Sequence, residues 1–163
     1  MPDHVIPNGV ILLEDGVIAA VGKAKDTPIP EGAEIIDAEG AFVGPGLIDI
    51  HTHAAGGVYF TEDPVFCGKE LLKHGVTSVL PALYYSLDKN AFVAAIEKIN
   101  AAYESGEFPN FLGYYMEGPY LNPKFGCDKE SNPWQGAVDK EKYQPIIDAA
   151  YDLARVWALA PER

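Results

Sequence analysis

The stretch GPGLIDIHTHAAGG, residues 44–57, decides how the chain reads. Leu47, Ile48, Asp49 and Ile50 form a short apolar run behind Gly-Pro-Gly, the pattern of a fully buried strand. His51 and His53 stand at its far end, two residues apart. Strand side chains alternate faces, so both imidazoles point the same way. Imidazole is the commonest metal ligand and is uncharged near neutral pH, so such a pair can share one divalent ion without losing a proton. The plainer alternative is a strand end carrying two stacked or hydrogen-bonded histidines. The flanking GPGLID, and small Ala54-Ala55-Gly56-Gly57 with its room for a substrate, favour metal.

Working outward, residues 1–45 read as one small β-unit. Residues 10–13 and 17–21 are apolar runs about Asp15-Gly16, a strong hairpin signal. Residues 23–32 are polar and proline-rich, hence loop. Residues 34–38 and 41–43 predict two more short strands about Glu39-Gly40. No cluster of chemical groups falls here, so the unit takes a structural role, of the kind that packs against a larger domain.

From residue 46 the rhythm becomes strand, helix, strand, helix. Residues 47–53 are the first strand. Thr61 or Asp63 caps a helix that has Pro64 in its first turn and Gly75 beyond its end, with His74 as a capping residue rather than a ligand. Residues 77–83 form a second strand. Ser86 or Asp88 starts a helix with Phe92, Ile96, Ile99 and Tyr103 on one face, closed by Gly106. Residues 111–116 form a third strand. A further helix using Ile146, Ile147, Ala150 and Ala154 runs to about Arg155, beginning or kinking at Pro145. Residues 156–160 open a fourth strand.

Alternating β and α units predict an α/β fold with a parallel sheet, whose chemistry collects at the carboxyl ends of the strands. Glu117, in MEGPYLNP, ends the third strand on the same rim as His51 and His53, where the following Gly-Pro forces a sharp exit. That placement favours a ligand or general-base role over an ordinary solvated glutamate. The connection over residues 120–136 is longer than the usual ~2–6 residues and is expected to cover the site. It carries Lys124, Cys127, Asp128 and Lys129. Cys127 has no histidine near it in sequence, so it reads as an inert thiol rather than a nucleophile.

Composition excludes several other classes. With 48% hydrophobic and 22% charged residues the chain is ordinary globular protein. No apolar run approaches the ~20 residues of a transmembrane helix, and the N-terminus lacks a signal-peptide pattern. Twelve Lys+Arg against 24 Asp+Glu leave a net charge of −12, a surface that repels nucleic-acid phosphates. Only Cys67 and Cys127 are present, which fits a reducing, cytoplasmic setting.

EDGVIAAVG, GPGLIDIHTHAAGG, HGVTSVLPAL and MEGPYLNPKFG together make the chain resemble the N-terminal part of the N-acetylglucosamine-6-phosphate deacetylases of the amidohydrolase superfamily. GPGLIDIHTH points to the superfamily, and MEGPYLNP after HGVTSVLPAL to the deacetylase branch. The resemblance implies a small, partial β-sandwich-type domain over residues 1–45. It implies the first three to four βα units of an incomplete (β/α)₈ TIM-type barrel over residues 46–163. The implied activity is metal-dependent hydrolysis of N-acetylglucosamine 6-phosphate to glucosamine 6-phosphate and acetate. His51, His53 and Glu117 are the implied metal ligands, for one or two ions, with Zn²⁺ favoured and Fe²⁺ an alternative.

Cys127 and Asp128 occupy the family's substrate loop, where a small residue followed by His or Gln is usual, so a related N-acyl sugar is also open. The resemblance further implies a cytoplasmic homodimer acting on an amino-sugar phosphate, with no nucleic-acid or membrane partner. A barrel takes roughly 200 residues or more, so the chain is expected to be a fragment. Its remaining metal histidines, catalytic aspartate and phosphate-binding groups would then lie beyond Arg163, and residues 1–163 alone would be inactive. The alternatives are another cyclic-amide or N-acyl hydrolase of the superfamily, or a non-catalytic half-barrel module.

Overall fold

In the computed structural model, which describes residues 4–125 and 127–162, the chain divides into two compact units, Met1–Pro45 and Gly46–Arg163. In the first, β1 (Gly9–Glu14) and β2 (Val17–Lys23) pair antiparallel. Asp15 and Gly16 both take positive φ, 50° and 78°, the backbone that lets a two-residue turn follow the twist of its strands. A bulge between Leu12 and Leu13 shifts the register within the hairpin.

Residues 34–43 depart from expectation. The turn at Glu39-Gly40 forms, closed by the Ala41 N–H donating to the Ala38 carbonyl at 2.8 Å, but neither flanking segment is a strand. A strand is defined by its ladder, and neither segment pairs with a described strand. Ile36 and Phe42 are both 88% exposed. Their β-branched and aromatic character supplied propensity without a partner.

The second unit carries a parallel sheet of four strands in the order β3 (Leu47–Thr52), β6 (Val76–Leu83), β7 (Tyr114–Glu117) and β8 (Ala154–Ala158). A small antiparallel pair, β4 (Ala54–Ala55) and β5 (Val58–Tyr59), follows β3. Helix α1 (Pro64–Lys73) leads to β6, α2 (Lys89–Glu104) to β7, and α3 (Lys140–Ala150) to β8. Asp63 caps α1 by accepting the Phe66 N–H at 2.9 Å, and Asp88 caps α2 by accepting from Ala91 at 2.8 Å. His74 is the C-cap of α1, and Gly75 beyond it takes a φ of 79°.

The third helix ends earlier than its apolar periodicity suggests. It begins at Lys140, capped by Asp139, and holds Pro145 inside, where proline removes one intrahelical N–H. After Ala150 the chain passes through a 3₁₀ turn, and Ala154 and Arg155 already belong to β8. Sheet pairing with Tyr114 captures Ala154. The β8 strand therefore starts two residues before the expected position and ends at Ala158.

The core lies between the sheet and its helices. Phe92, Ile96 and Ile99 of α2 are fully buried against Val79, Leu83, Phe111, Tyr114 and Met116. Tyr103, expected on the same face, is 44% exposed and meets the edge of Phe111. Along β7 burial alternates: Tyr114 and Met116 are buried, Tyr115 and Glu117 half-buried. The even residues face the helices, so the odd ones face the opposite side of the sheet. By contrast, Leu47, Ile48 and Ile50 of β3 are more than half exposed, against the expectation of a buried strand. This strand is an edge, hydrogen-bonded to β6 alone.

The Tyr114 hydroxyl is buried in this core with two acceptors in reach of its single proton, the Ile96 carbonyl at 3.0 Å and Asn100 Oδ1 at 2.7 Å. Burial pushes its pKa well above the ordinary phenol value. The folded state thus holds this proton more tightly than the unfolded chain does. Its contribution is complete below about pH 10 and is lost as pH rises further. Tyr114→Phe is expected to destabilise the second unit by roughly 1–2 kcal/mol and to flatten its alkaline loss of stability, both read from urea unfolding at neutral and high pH. An unchanged urea midpoint would show that the hydroxyl contributes nothing net.

Candidate metal centre

Three side chains converge at the carboxyl ends of the parallel strands. His51 lies in β3, His53 follows that strand's last residue, and Glu117 ends β7. Glu117 Oε2 lies 3.4 Å from His53 Nε2 and 3.8 Å from His51 Nε2. One ligand atom from each residue falls within 4.8 Å of the other two, and among the described residues no other group of His, Cys, Asp or Glu does this.

The His53 ring is oriented from behind. Its Nδ1 lies 2.9 Å from the carbonyl oxygen of Ala82 in β6. A carbonyl only accepts, so Nδ1 carries the proton and Nε2 turns its lone pair toward Glu117. Metal-binding histidines are characteristically held this way. Two imidazole nitrogens and a carboxylate oxygen aimed at one point are a donor set suited to Zn²⁺ and other divalent first-row ions. The residues therefore fit a divalent metal. The histidine side chains are 40% and 36% exposed and Glu117 20%, so the centre opens to solvent.

Backbone geometry fixes the approach. The His51 N–H donates to Asp49 Oδ1 at 3.0 Å, and the His53 carbonyl accepts from Phe60 at 3.1 Å. Gly56 and Gly57, with φ of 59° and 82°, turn β4 into β5. The Ala-Ala-Gly-Gly run is thus a tight hairpin packed on α1 rather than open space for a substrate. A Cβ on Gly56 would press against the Phe66 ring. Beyond Glu117, Gly118 (φ 106°) precedes a cis bond to Pro119 and turns the chain off the rim.

Cys127 and Asp128 do not join this cluster. Their loop is tied down elsewhere. The Asp128 N–H donates to the Tyr85 hydroxyl at 2.8 Å, and the Trp134 indole N–H to the Leu87 carbonyl at 2.7 Å. The Cys127 thiol lies 3.3 Å from the Asn122 carbonyl. Hydrogen bonds from Ser131 and from the Glu130 N–H hold the Asp128 carboxyl below its ordinary pKa. His74 pairs with Glu70 at 3.6 Å, remote from the centre in role.

Sequence reasoning missed an aromatic surround. Tyr115 packs on His51 with ring centroids 4.2 Å apart, and Tyr84 meets the edge of His53 at 5.3 Å. Tyr59 extends the row beyond Tyr84. A signal for Tyr115 existed: it stands two residues before Glu117 and so shares its strand face.

No family model matches the chain. It is 32% identical over 158 residues to an N-acetylgalactosamine-6-phosphate deacetylase of Escherichia coli O157:H7, covering 93% of this chain and 39% of that protein. It is 29% identical over 168 residues to an N-acetylglucosamine-6-phosphate deacetylase of Bacillus subtilis, covering 98% and 42%. Relatives of this chain are amino-sugar-phosphate deacetylases. The chain spans about two fifths of their length.

A shorter match, 47% identical over 53 residues, is to an imidazolonepropionase of Bacillus cereus, covering 32% of this chain and 12% of that enzyme. Among solved structures, an N-acetyl-D-glucosamine-6-phosphate deacetylase of Mycobacterium smegmatis in complex with N-acetyl-D-glucosamine-6-phosphate superposes with a TM-score of 0.68. The identity is 21%, over 95% of this chain and 39% of that one. The deacetylase of Thermotoga maritima gives 0.61 at 21% identity, over 93% and 38%. The mixed α/β unit with its parallel sheet therefore has the fold of part of these deacetylases.

The His53 geometry makes a direct prediction. As a neutral imidazole, His53 without metal should be the Nδ1–H tautomer, visible in long-range ¹H–¹⁵N spectra as one protonated and one pyridine-like nitrogen. A protonated Nε2 in neutral His53 would break the ligand assignment.

Proposed function

We propose that the chain is part of a metal-dependent amidohydrolase that removes the N-acetyl group of an amino-sugar phosphate, releasing acetate and the free amine. The observation that carries this reading is the convergence of His51, His53 and Glu117 on one strand-end rim, in a chain whose relatives are deacetylases of such sugars. In this reading residues 1–45 are a small β-domain and residues 46–163 the first three to four βα units of a (β/α)₈ barrel. The setting is cytoplasmic. Among the described residues no helix is long and apolar enough to cross a membrane.

His51 and His53 would hold the ion as neutral donors through Nε2, and Glu117 as a carboxylate. Bound there, a divalent ion, Zn²⁺ on this donor set, would supply Lewis acidity toward a water and the amide carbonyl. Hydrolysis also needs a base that takes the water's proton and returns it to the departing amine. Glu117 serves poorly for this, because its Oε2 faces both imidazoles and ligation lowers basicity. No other carboxylate among the described residues joins the cluster. The proton on His53 Nδ1 is committed to Ala82. Among the described residues, then, three side chains would hold a metal, and no further carboxylate stands with them to act as proton acceptor.

N-acetylglucosamine 6-phosphate is the favoured substrate. The relative named for the galactosamine epimer makes the C4-epimeric sugar the second reading, and Cys127 and Asp128 on the 120–136 loop are the proposed sugar-side residues. A cyclic-amide substrate has support from the imidazolonepropionase match, but over a third of the chain only.

Competition with a chromophoric chelator should show Zn²⁺ binding to the 163-residue chain, weakened at least tenfold by His51→Ala or Glu117→Gln. Acetate release from either N-acetylhexosamine 6-phosphate should be undetectable with this chain. It should appear in a protein of deacetylase length that carries these residues. Failure of the wild-type chain to bind Zn²⁺ would overturn the metal reading, and turnover by the short chain would overturn the account of the missing base.

A further inference from the structure

The two imidazoles are held by different physics. His53 is fixed by a hydrogen bond to the Ala82 carbonyl and touches the Tyr84 ring edge-on. His51 has no such bond: among the described residues no hydrogen bond engages either of its ring nitrogens. Its ring meets Tyr115 at 4.2 Å with an interplanar angle of 51°, and the edge of His53 at 5.2 Å. The side chain is 40% exposed, so solvent would otherwise let the ring turn about χ2, a broad and soft torsion.

We propose that Tyr115 is the positioning residue of His51, its ring fixing the imidazole plane that directs Nε2 toward Glu117. Three features of the fold support this. Tyr115 stands two residues before Glu117 in β7, so ligand and support project from one face of one strand. Tyr114 and Met116 on either side are fully buried, so the backbone carrying Tyr115 is anchored in the core. Tyr115 is the register partner of Ala82, and ladder partners share a face. A methyl group there leaves room for the Tyr115 ring to reach across β6 toward β3. Ring contacts of this kind act on the same scale as the hydrogen bond that holds His53. The inference rests on the proposed metal role of His51, whereas the ring contact is a feature of the fold itself.

Tyr115→Leu removes the ring, and Tyr115→Phe keeps it while deleting the hydroxyl. Zn²⁺ affinity by chelator competition should fall about tenfold in Tyr115→Leu, the scale on which orienting partners of ligands act, and should be restored in Tyr115→Phe. In the metal-free protein, NMR should show nuclear Overhauser contacts from the Tyr115 ring to the His51 imidazole protons. Tyr115→Leu should broaden the His51 ring signals and leave the His53 tautomer signals in place. A merely structural Tyr115 would disturb both histidines alike. Wild-type affinity in Tyr115→Leu, or a Phe variant as weak as Leu, would overturn the proposal. So would missing ring contacts in the wild-type chain, a test that stands even if Tyr115→Leu does not fold. Absent Zn²⁺ binding by the wild type would sink the metal reading alone, with the NMR arm still deciding whether Tyr115 orients His51.

Discussion

The hydrogen bond between His53 Nδ1 and the Ala82 carbonyl joins the fold to the site. It runs from just beyond one strand to its neighbour, so it exists only if β3 and β6 lie in parallel with their ends at one level. The register provides this, with Asp49 opposite Val79 and Thr52 opposite Pro81. Proline has no N–H to give the ladder, and the register of the pair shifts between Asp49 and Thr52. The register thus shifts where the histidines begin, and beyond Thr52 a side chain rather than an amide engages the Ala82 carbonyl of β6.

Alternation in β7 divides the remaining labour. One parity, Tyr114 and Met116, holds the strand in the apolar core. The other, Tyr115 and Glu117, presents an aromatic ring and a carboxylate on the far face. A one-residue slip would exchange the two sets, burying a carboxylate and exposing Met116. Core packing therefore specifies the site: the helix-side burial that sets the register also places Glu117 3.4 Å from His53.

Where local chemistry decides, the sequence was legible. Asp-Gly forced the first hairpin, Asp63 and Asp88 capped their helices, and His-x-His with Glu117 named the three groups that meet. Where a partner decides, it was not. Residues 34–38 and 41–43 carry strand propensity but pair with no described strand, and the apolar residues of β3 read as buried although their strand is an edge. The hairpin of Gly56-Gly57 was hidden because small residues announce room and tight turns alike. Tyr115 was hidden for another reason, since a tyrosine beside a buried tyrosine looks like more core.

The number of donors bears on what such a centre is for. Structural zinc sites are closed by four protein ligands, whereas catalytic ones keep a position open. The described residues contribute three, with more than a third of each histidine side chain exposed. Two come from the end of β3 and one from β7, while the strand between them supplies the Ala82 carbonyl that accepts from His53 Nδ1. All three donors thus approach from the sheet. Beyond the sheet the cluster stays open to solvent, as the exposure of both histidines shows.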